Sequence, residues 1–305
     1  MTSNPTHTTF GAHSTAAQVL AGIDLAGRAA VVTGGYSGVG LATTRALSDA
    51  GALVVVPARR PDVARQALAG MTGVEVDELD LADLGSVRAF ADRFRHRHPV
   101  LDILIANAGI MACPQTRVGP GWEAQFAVNH LGHHALANLL WPALTAAGTA
   151  RVVSVASGRN PDSSIRWADV QFERGYDKWA AYAQSKLANI LFARHLDVLG
   201  RQHGVRAFSV NPGWIRTPLQ RHLAVEEMVA AGWIDAAGTP APGLFKTAEQ
   251  GAATQVWAAT SAHLDGYGGD YCMDCQVTDG SPTDSQNAAR LWALSAELTG
   301  LDHIG

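Results

Sequence analysis

The sequence predicts an α/β fold: one doubly wound parallel sheet with helices on both faces and a small lid in the C-terminal half. Three observations predict it. Short apolar runs alternate with helical stretches along most of the chain, the pattern of parallel strands joined by crossover helices. The first of these runs leads into a glycine-rich turn and then a helix, an arrangement that seats a pyrophosphate. No linker, internal repeat or low-complexity block divides the 305 residues. Residues 1–26 therefore read as an N-terminal arm, polar and loose before a short helix, and residues 27–305 as a single domain.

The elements follow in order. Ala29–Thr33 is a short apolar run, read as a buried strand. Gly34, Gly35, Tyr36, Ser37, Gly38, Val39 and Gly40 follow it, and Leu41–Ala50 reads as the next helix. Glycine lets backbone approach phosphate oxygens, and a helix N-terminus offers unpaired N–H groups and the positive end of its dipole. Gly34, Tyr36, Ser37, Gly38, Val39 and Gly40 are accordingly the candidate dinucleotide loop. A second strand, Leu53–Val56, runs into Arg59 and Arg60. An acid at that place would bond a ribose 2′-hydroxyl, whereas arginine accommodates a 2′-phosphate. The two arginines favour NADP(H) over NAD(H); Asp62, after Pro61, reads as the start of the next helix.

Val74–Leu79 is the third strand, closing on Asp80 and Leu81. A helix from Leu84 to Arg95 precedes a strand at Leu101–Ala106, which ends in Asn107, Ala108 and Gly109. Gln125–Leu144 reads as one helix containing Asn129, His130, His133 and His134. His130 and His134 have i, i+4 spacing, but no third ligand accompanies them, and no metal site is expected. Arg151–Ala156 is the fifth strand, with Ser157 at its C-terminal end, where open α/β sheets place ligands. A polar loop from Gly158 to about Lys178 leads to the helix Trp179–Leu199.

That helix carries Tyr182 and Lys186, four residues apart and so on one helical face. A free phenol titrates near a pKa of ~10. An adjacent ammonium would favour the phenolate and bring Tyr182 toward the range of a neutral-pH acid–base catalyst. Val205–Val210 is the sixth strand, ending in Pro212, Gly213 and Thr217. Residues from about 214 to 248 mix apolar residues with Gly and Pro and read as a lid. A helix at Ala248–Ala259 and an edge strand between Gly266 and Cys275 close the pattern. Trp167, Phe172, Trp214 and Trp233 read equally well as the lining of a lipophilic pocket or as ordinary core.

Composition excludes several classes of function. A formal net charge of -4 argues against nucleic acid or an anionic membrane surface as partner. No run of ~18 uninterrupted apolar residues is present to span a bilayer. The N-terminal residues have neither the basic cluster nor the apolar stretch of a secretory signal. Cys113, Cys272 and Cys275 are too few for a disulfide framework. A reducing, cytoplasmic setting fits best, with Cys272 and Cys275 as structural residues rather than a redox pair.

Taken in order, these motifs resemble the short-chain dehydrogenase/reductase family across roughly Gly27 to Thr278. Thr33, Gly34, Gly38 and Gly40 look like its cofactor loop. Asp80 and Leu81 resemble its adenine-contacting pair. Ala106, Asn107, Ala108 and Gly109 resemble its Asn-Asn-Ala-Gly turn, with Ala in place of the first Asn. Asn129, Ser157, Tyr182 and Lys186 fall where the family carries its catalytic tetrad, and Pro212, Gly213 and Thr217 match the segment that closes over the nicotinamide. The runs Asn129-His-Leu-Gly-His133, Gln184-Ser-Lys-Leu-Ala-Asn189 and Lys246-Thr-Ala-Glu-Gln-Gly251 are similar to the retinol-dehydrogenase-like branch, which is also related to light-dependent protochlorophyllide reductase.

The resemblance implies a Rossmann-type fold and an NADP(H)-dependent oxidoreductase interconverting a lipophilic ketone or aldehyde and its alcohol. Tyr182 would be the acid/base, Ser157 would hold the carbonyl oxygen, Lys186 would bind the nicotinamide ribose and lower the tyrosine pKa, and Asn129 would hold a water. It also implies a homodimer or homotetramer paired through helices 125–144 and 179–199. Asn211 stands where the branch often has His, and Ser37 where many NADP-users have a basic residue, which leaves the discrimination to Arg59 and Arg60. A nucleotide-sugar epimerase is disfavoured by the glycine spacing. A non-catalytic NADP(H)-sensing protein is the alternative, distinguished by its indifference to loss of the Tyr182 hydroxyl.

Overall fold

The computed structural model describes residues 8–158, 164–278 and 285–304. The first residues of the arm and residues 159–163 of the polar loop lie outside these. A short helix α1 (Ala16–Val19) is closed by a capping box in which Thr15 and Gln18 satisfy each other's backbone amides. The arm is not loose from this point on. Ala16, Val19 and Leu20 are buried in the same apolar cluster as Val256 and Trp257, and Gln250 Nε2 donates to the His13 carbonyl at 3.3 Å.

The alternating elements then run β1 (Ala29–Val32), α2 (Gly38–Asp49), β2 (Leu53–Ala58), α3 (Pro61–Ala67), β3 (Val74–Glu78), α4 (Leu84–Arg97) and β4 (Ile103–Ala106). After a two-stranded hairpin, β5 (Arg117–Val118) and β6 (Trp122–Glu123), come α5 (Ala124–Phe126), a π-helical turn at Ala127–Leu131 and α6 (Gly132–Ala146). The second half adds β7 (Ala150–Val155), α7 (Lys178–Gly200), β8 (Val205–Asn211), α8 (Val225–Ala230), α9 (Ala248–Thr260), β9 (Tyr271–Met273), β10 (Gln276–Val277) and α10 (Ser285–Thr299). The eight-stranded sheet has the order β10-β9-β8-β7-β4-β1-β2-β3, parallel throughout except for the β9–β10 pair. The order reverses between β1 and β4, and the crevice at the C-terminal ends of those strands is where such sheets bind ligands.

The strand runs are apolar because both faces are covered. Val31, Val55 and Leu104 face one core beneath α4 and α6. Val32, Val56 and Ile105 face the other, beneath α2 and α9. Two differences from the sequence reading affect the site. The helix expected from Leu41 begins at Gly38, so two of the loop glycines lie in its first turn. The helix expected as continuous over 125–144 is interrupted by the π-helical turn that holds Asn129.

The sequence reading left α10 unassigned, although Ala288, Leu291, Trp292 and Ser295 mark one buried helical face. It packs across α7 and the start of α6. Trp292 stacks on Phe192 with ring centroids 5.9 Å apart and meets His134 edge-on at 4.7 Å. The helices expected to pair between subunits thus carry α10 on part of their surface.

Beneath α10, His130 lies against Phe126 and bonds Ser295 Oγ at 2.7 Å. Burial holds His130 well below the usual imidazole pKa and brings His134 down to about 4. His133, turned toward Thr33, is likewise at about 4 through burial and the nearby Lys186 charge. These depressed values mean the unfolded chain binds protons that the folded one refuses. Their stabilisation is complete above pH ~6.5 and is lost as pH falls toward ~4, at ~1.4 kcal/mol per group per pH unit. Urea unfolding between pH 7 and 4.5 is expected to show a steep loss of stability, and His134→Gln is expected to reduce that slope by about one proton. An unchanged slope in the variant would contradict the assignment.

Candidate active site

The site is assembled on the C-terminal ends of β1, β2, β4, β7 and β8. β1 ends in the buried Thr33, and the chain turns through Gly34 at φ 65° and Gly38 at φ 51°, left-handed values that favour glycine. Ser37 occupies the N-cap of α2 but makes no side-chain cap bond, so its hydroxyl does not claim the first-turn amides. A Cβ on Gly40 would lie 2.3 Å from the Gly34 carbonyl and 2.5 Å from Asn107 Nδ2. The loop therefore lies directly on the β4 turn. This cradle fits a dinucleotide pyrophosphate, with backbone N–H groups of the α2 first turn available to it.

Arg59 and Arg60 follow β2, exposed at the edge of the same cleft. Asp80 is held by its own turn, accepting from the Ala82 amide at 2.9 Å. Asn107 donates to the Thr33 carbonyl at 2.8 Å. Gly109 must be small: a Cβ there would stand 3.1 Å from Asn129 Oδ1 and 3.6 Å from Lys186 Nζ. Gly213, at φ 92°, receives the Asn211 side chain on its amide at 3.0 Å. Thr217 caps the 3₁₀ turn Pro218–His222 by accepting from Leu219 N at 3.2 Å, and its side chain lies against Gly38.

Tyr182 and Lys186 share one face of α7, as their spacing predicts. Lys186 is 6% exposed, and its Nζ donates to the Val155 carbonyl at 3.0 Å. Ser157 stands just beyond β7, its carbonyl held by the Tyr271 hydroxyl at 2.9 Å, and it lines the same cleft as Tyr182. One cleft of about 1290 Å³ is lined by every one of the cofactor-loop, strand-end and lid-base residues expected from the sequence, together with Ser157, Tyr182 and Lys186. Asn129 is the exception. It is fully buried behind the cleft wall, where its side chain accepts from Ile110 N at 2.8 Å and donates to Ile110 O and Ser185 Oγ, both at 2.9 Å.

The electrostatics differ from the expectation that Lys186 lowers the tyrosine pKa. Burial dominates at both residues: it pushes Tyr182 up to about 12, against the lowering effect of the Ser157 side chain, and brings Lys186 down to about 8. Lys186 Nζ stands 5.8 Å from the Tyr182 ring centroid, and its proton is directed at a carbonyl. Burial thus favours the protonated phenol at Tyr182.

The four aromatic residues divide. Trp214 and Trp233 line the cleft mouth with ring centroids 5.0 Å apart. Phe172 is core, beneath the Arg166 guanidinium at 4.4 Å, and Trp167 packs under Arg290 at 4.1 Å. Trp179, one helical turn before Tyr182, also lines the mouth and meets Trp233 at 6.0 Å; the i, i+3 spacing from Trp179 to Tyr182 was the signal for it. Met111, Cys113 and Leu219 complete this apolar side without any mark in the sequence. Cys272 and Cys275 are buried free thiols whose pKa values burial raises, a setting that suits inert packing.

Comparison with known proteins places this geometry. The family model described as short chain dehydrogenase matches residues 28–227. A Streptomyces lividans protein named "Probable oxidoreductase" is 44% identical over 300 residues, covering 90% of this chain and 98% of that protein. Human retinol dehydrogenase 12 is 37% identical over 289 residues, covering 92% of this chain and 88% of its own. Among solved structures, an uncharacterized protein from Mycobacterium paratuberculosis superposes with a TM-score of 0.75 at 35% identity, over 95% of this chain and 99% of that one.

Proposed function

The chain belongs to the short-chain dehydrogenase family, an enzyme acting on CH–OH and C=O groups, and from that premise we propose an NADP(H)-dependent reductase of lipophilic ketones or aldehydes. The observation that carries the reading is one cleft floor holding Tyr182, Ser157 and Lys186 beside a glycine loop shaped for a dinucleotide. The loop at Gly34–Gly40 would hold the pyrophosphate, Arg59 and Arg60 the 2′-phosphate, and Lys186 the nicotinamide ribose. When bound, the cofactor supplies or accepts the hydride.

The chain's own residues handle the oxygen and its proton. The Ser157 hydroxyl donates to the carbonyl oxygen and stabilises the negative charge that develops there. The Tyr182 hydroxyl, held protonated by burial, gives its proton to that oxygen. Lys186, partly charged near pH 8, stabilises the phenolate left behind. In the reductive direction Tyr182 begins protonated, whereas the oxidative direction needs it to begin as the phenolate. Trp179, Trp214, Trp233, Met111 and Leu219 form the apolar wall that selects a lipophilic substrate and excludes water from the reacting atoms.

Loss of reduced-cofactor absorbance, followed with NADPH and NADH against lipophilic aldehydes and ketones, tests the reading. Tyr182→Phe is expected to lower kcat about 10²–10⁴-fold while leaving NADPH affinity intact. Full turnover in that variant would sink the proton-donor role, and NADPH binding with no wild-type turnover on any carbonyl would favour a sensor. The double variant Arg59→Ala/Arg60→Ala is expected to weaken NADPH binding by roughly tenfold or more, with NADH unaffected. Equal losses for the two dinucleotides would contradict the 2′-phosphate assignment.

A further inference from the structure

His133 is a buried imidazole in which both ring nitrogens are engaged. It stands in the first turn of α6, directly after the π-helical turn, and is 3% exposed. Nδ1 lies 2.9 Å from the Asn129 carbonyl, and Nε2 lies 2.9 Å from Thr33 Oγ1. A carbonyl only accepts, so Nδ1 carries the hydrogen and Nε2 presents its lone pair. Thr33 Oγ1 already accepts the Asn107 and Ala108 amides, both at 2.9 Å. Its one proton goes to Nε2 in preference to the Ile105 carbonyl, 3.3 Å away. Every valence in this chain is thereby satisfied, the condition under which a buried polar network specifies one arrangement.

The chain runs from the peptide of Asn129, whose side chain grips Ile110 and Ser185, to the end of β1 and the Asn107–Ala108 turn. Those are the two sides of the cleft floor. We propose that His133 is a positioning residue that couples the Asn129 turn to the end of β1, so that the dinucleotide loop and the wall behind Tyr182 and Lys186 are held as one rigid piece. Its consequence for cofactor rests on the reading of the cleft as a dinucleotide site. A neutral ring is required for this double role, and burial beside Lys186 keeps it neutral.

Two substitutions separate the two bonds. Asn138 Nδ2 donates to the His134 carbonyl, four residues back, at 3.0 Å, so an asparagine on α6 reaches such a carbonyl. His133→Asn is built to keep the Asn129 bond and give up the Thr33 bond; His133→Leu gives up both. In the protein without ligand, His133→Asn is expected to raise amide hydrogen exchange about tenfold at Asn107 and Ala108 and to leave Ile110 protected, whereas His133→Leu raises all three.

NADPH affinity, read by tryptophan fluorescence, is expected to weaken about tenfold in both variants. kcat is expected to fall about tenfold in His133→Leu and to stay within about twofold of wild type in His133→Asn. Wild-type exchange at Asn107 and Ala108 in His133→Asn overturns the coupling, and it does so alone if His133→Leu does not fold. Unchanged NADPH affinity in both variants overturns it as well, provided the wild type binds NADPH. A wild type that binds neither dinucleotide defeats the reading of the cleft instead, while the exchange pattern still decides the coupling.

Discussion

The site depends on holding a lysine ammonium where water scarcely reaches. Lys186 is 6% exposed, and removing a charge from water is costly unless it is bonded. The bond available is the Val155 carbonyl at the end of β7, which also accepts Asn189 Nδ2 at 3.0 Å. That contact fixes α7 against the sheet at one rotation about its axis, and Tyr182, one turn earlier, is thereby pointed at Ser157. Gly109 completes the constraint from the opposite side, because any side chain there would press on Asn129 and approach Lys186. The fold positions the chemistry through this pairing of a helix face with a strand end.

Burial also sets the charge states of the two groups. The same exclusion of water that lowers Lys186 raises Tyr182, and the two effects are complementary. A protonated phenol beside a cation that can still be charged is prepared to give up its proton when negative charge develops on a neighbouring oxygen. The apolar mouth built by Trp179, Trp214 and Trp233 extends this dry environment outward, and Thr217 joins the lid base to the glycine loop. The cleft mouth and the glycine loop thus share one structural support.

Much of this was legible in the sequence because the features concerned are periodic or punctuated. Buried parallel strands must be apolar on both faces, so Ala29–Val32 and Ile103–Ala106 announce themselves. Tyr182 and Lys186 are visible through helical spacing, and the loop glycines through a turn that other residues resist. What was hidden depends on contacts between distant segments. The π-helical turn at Asn129 has no residue signature, and it moves that side chain behind the cleft wall, bonded to Ile110 and Ser185. The bonding of His133 to Thr33 joins residues 100 apart in sequence. The net pKa of Tyr182 depends on how deeply α7 is buried, which spacing alone cannot give. The arm residues Ala16 and Val19, and the unassigned α10, became core only through partners far along the chain.

The central claim is that hydride passes between a nicotinamide and a carbon whose oxygen Ser157 and Tyr182 hold. Incubating the wild-type protein with a lipophilic ketone and NADPH deuterated at the transferable C4 position tests it most directly, with mass spectrometry of the alcohol formed. The expected result is one deuterium on the carbinol carbon for each turnover, with labelled alcohol forming about 10²–10⁴-fold more slowly in Tyr182→Phe. Alcohol formed without deuterium from cofactor stereospecifically labelled on either face, or labelled alcohol formed equally fast by Tyr182→Phe, would contradict it.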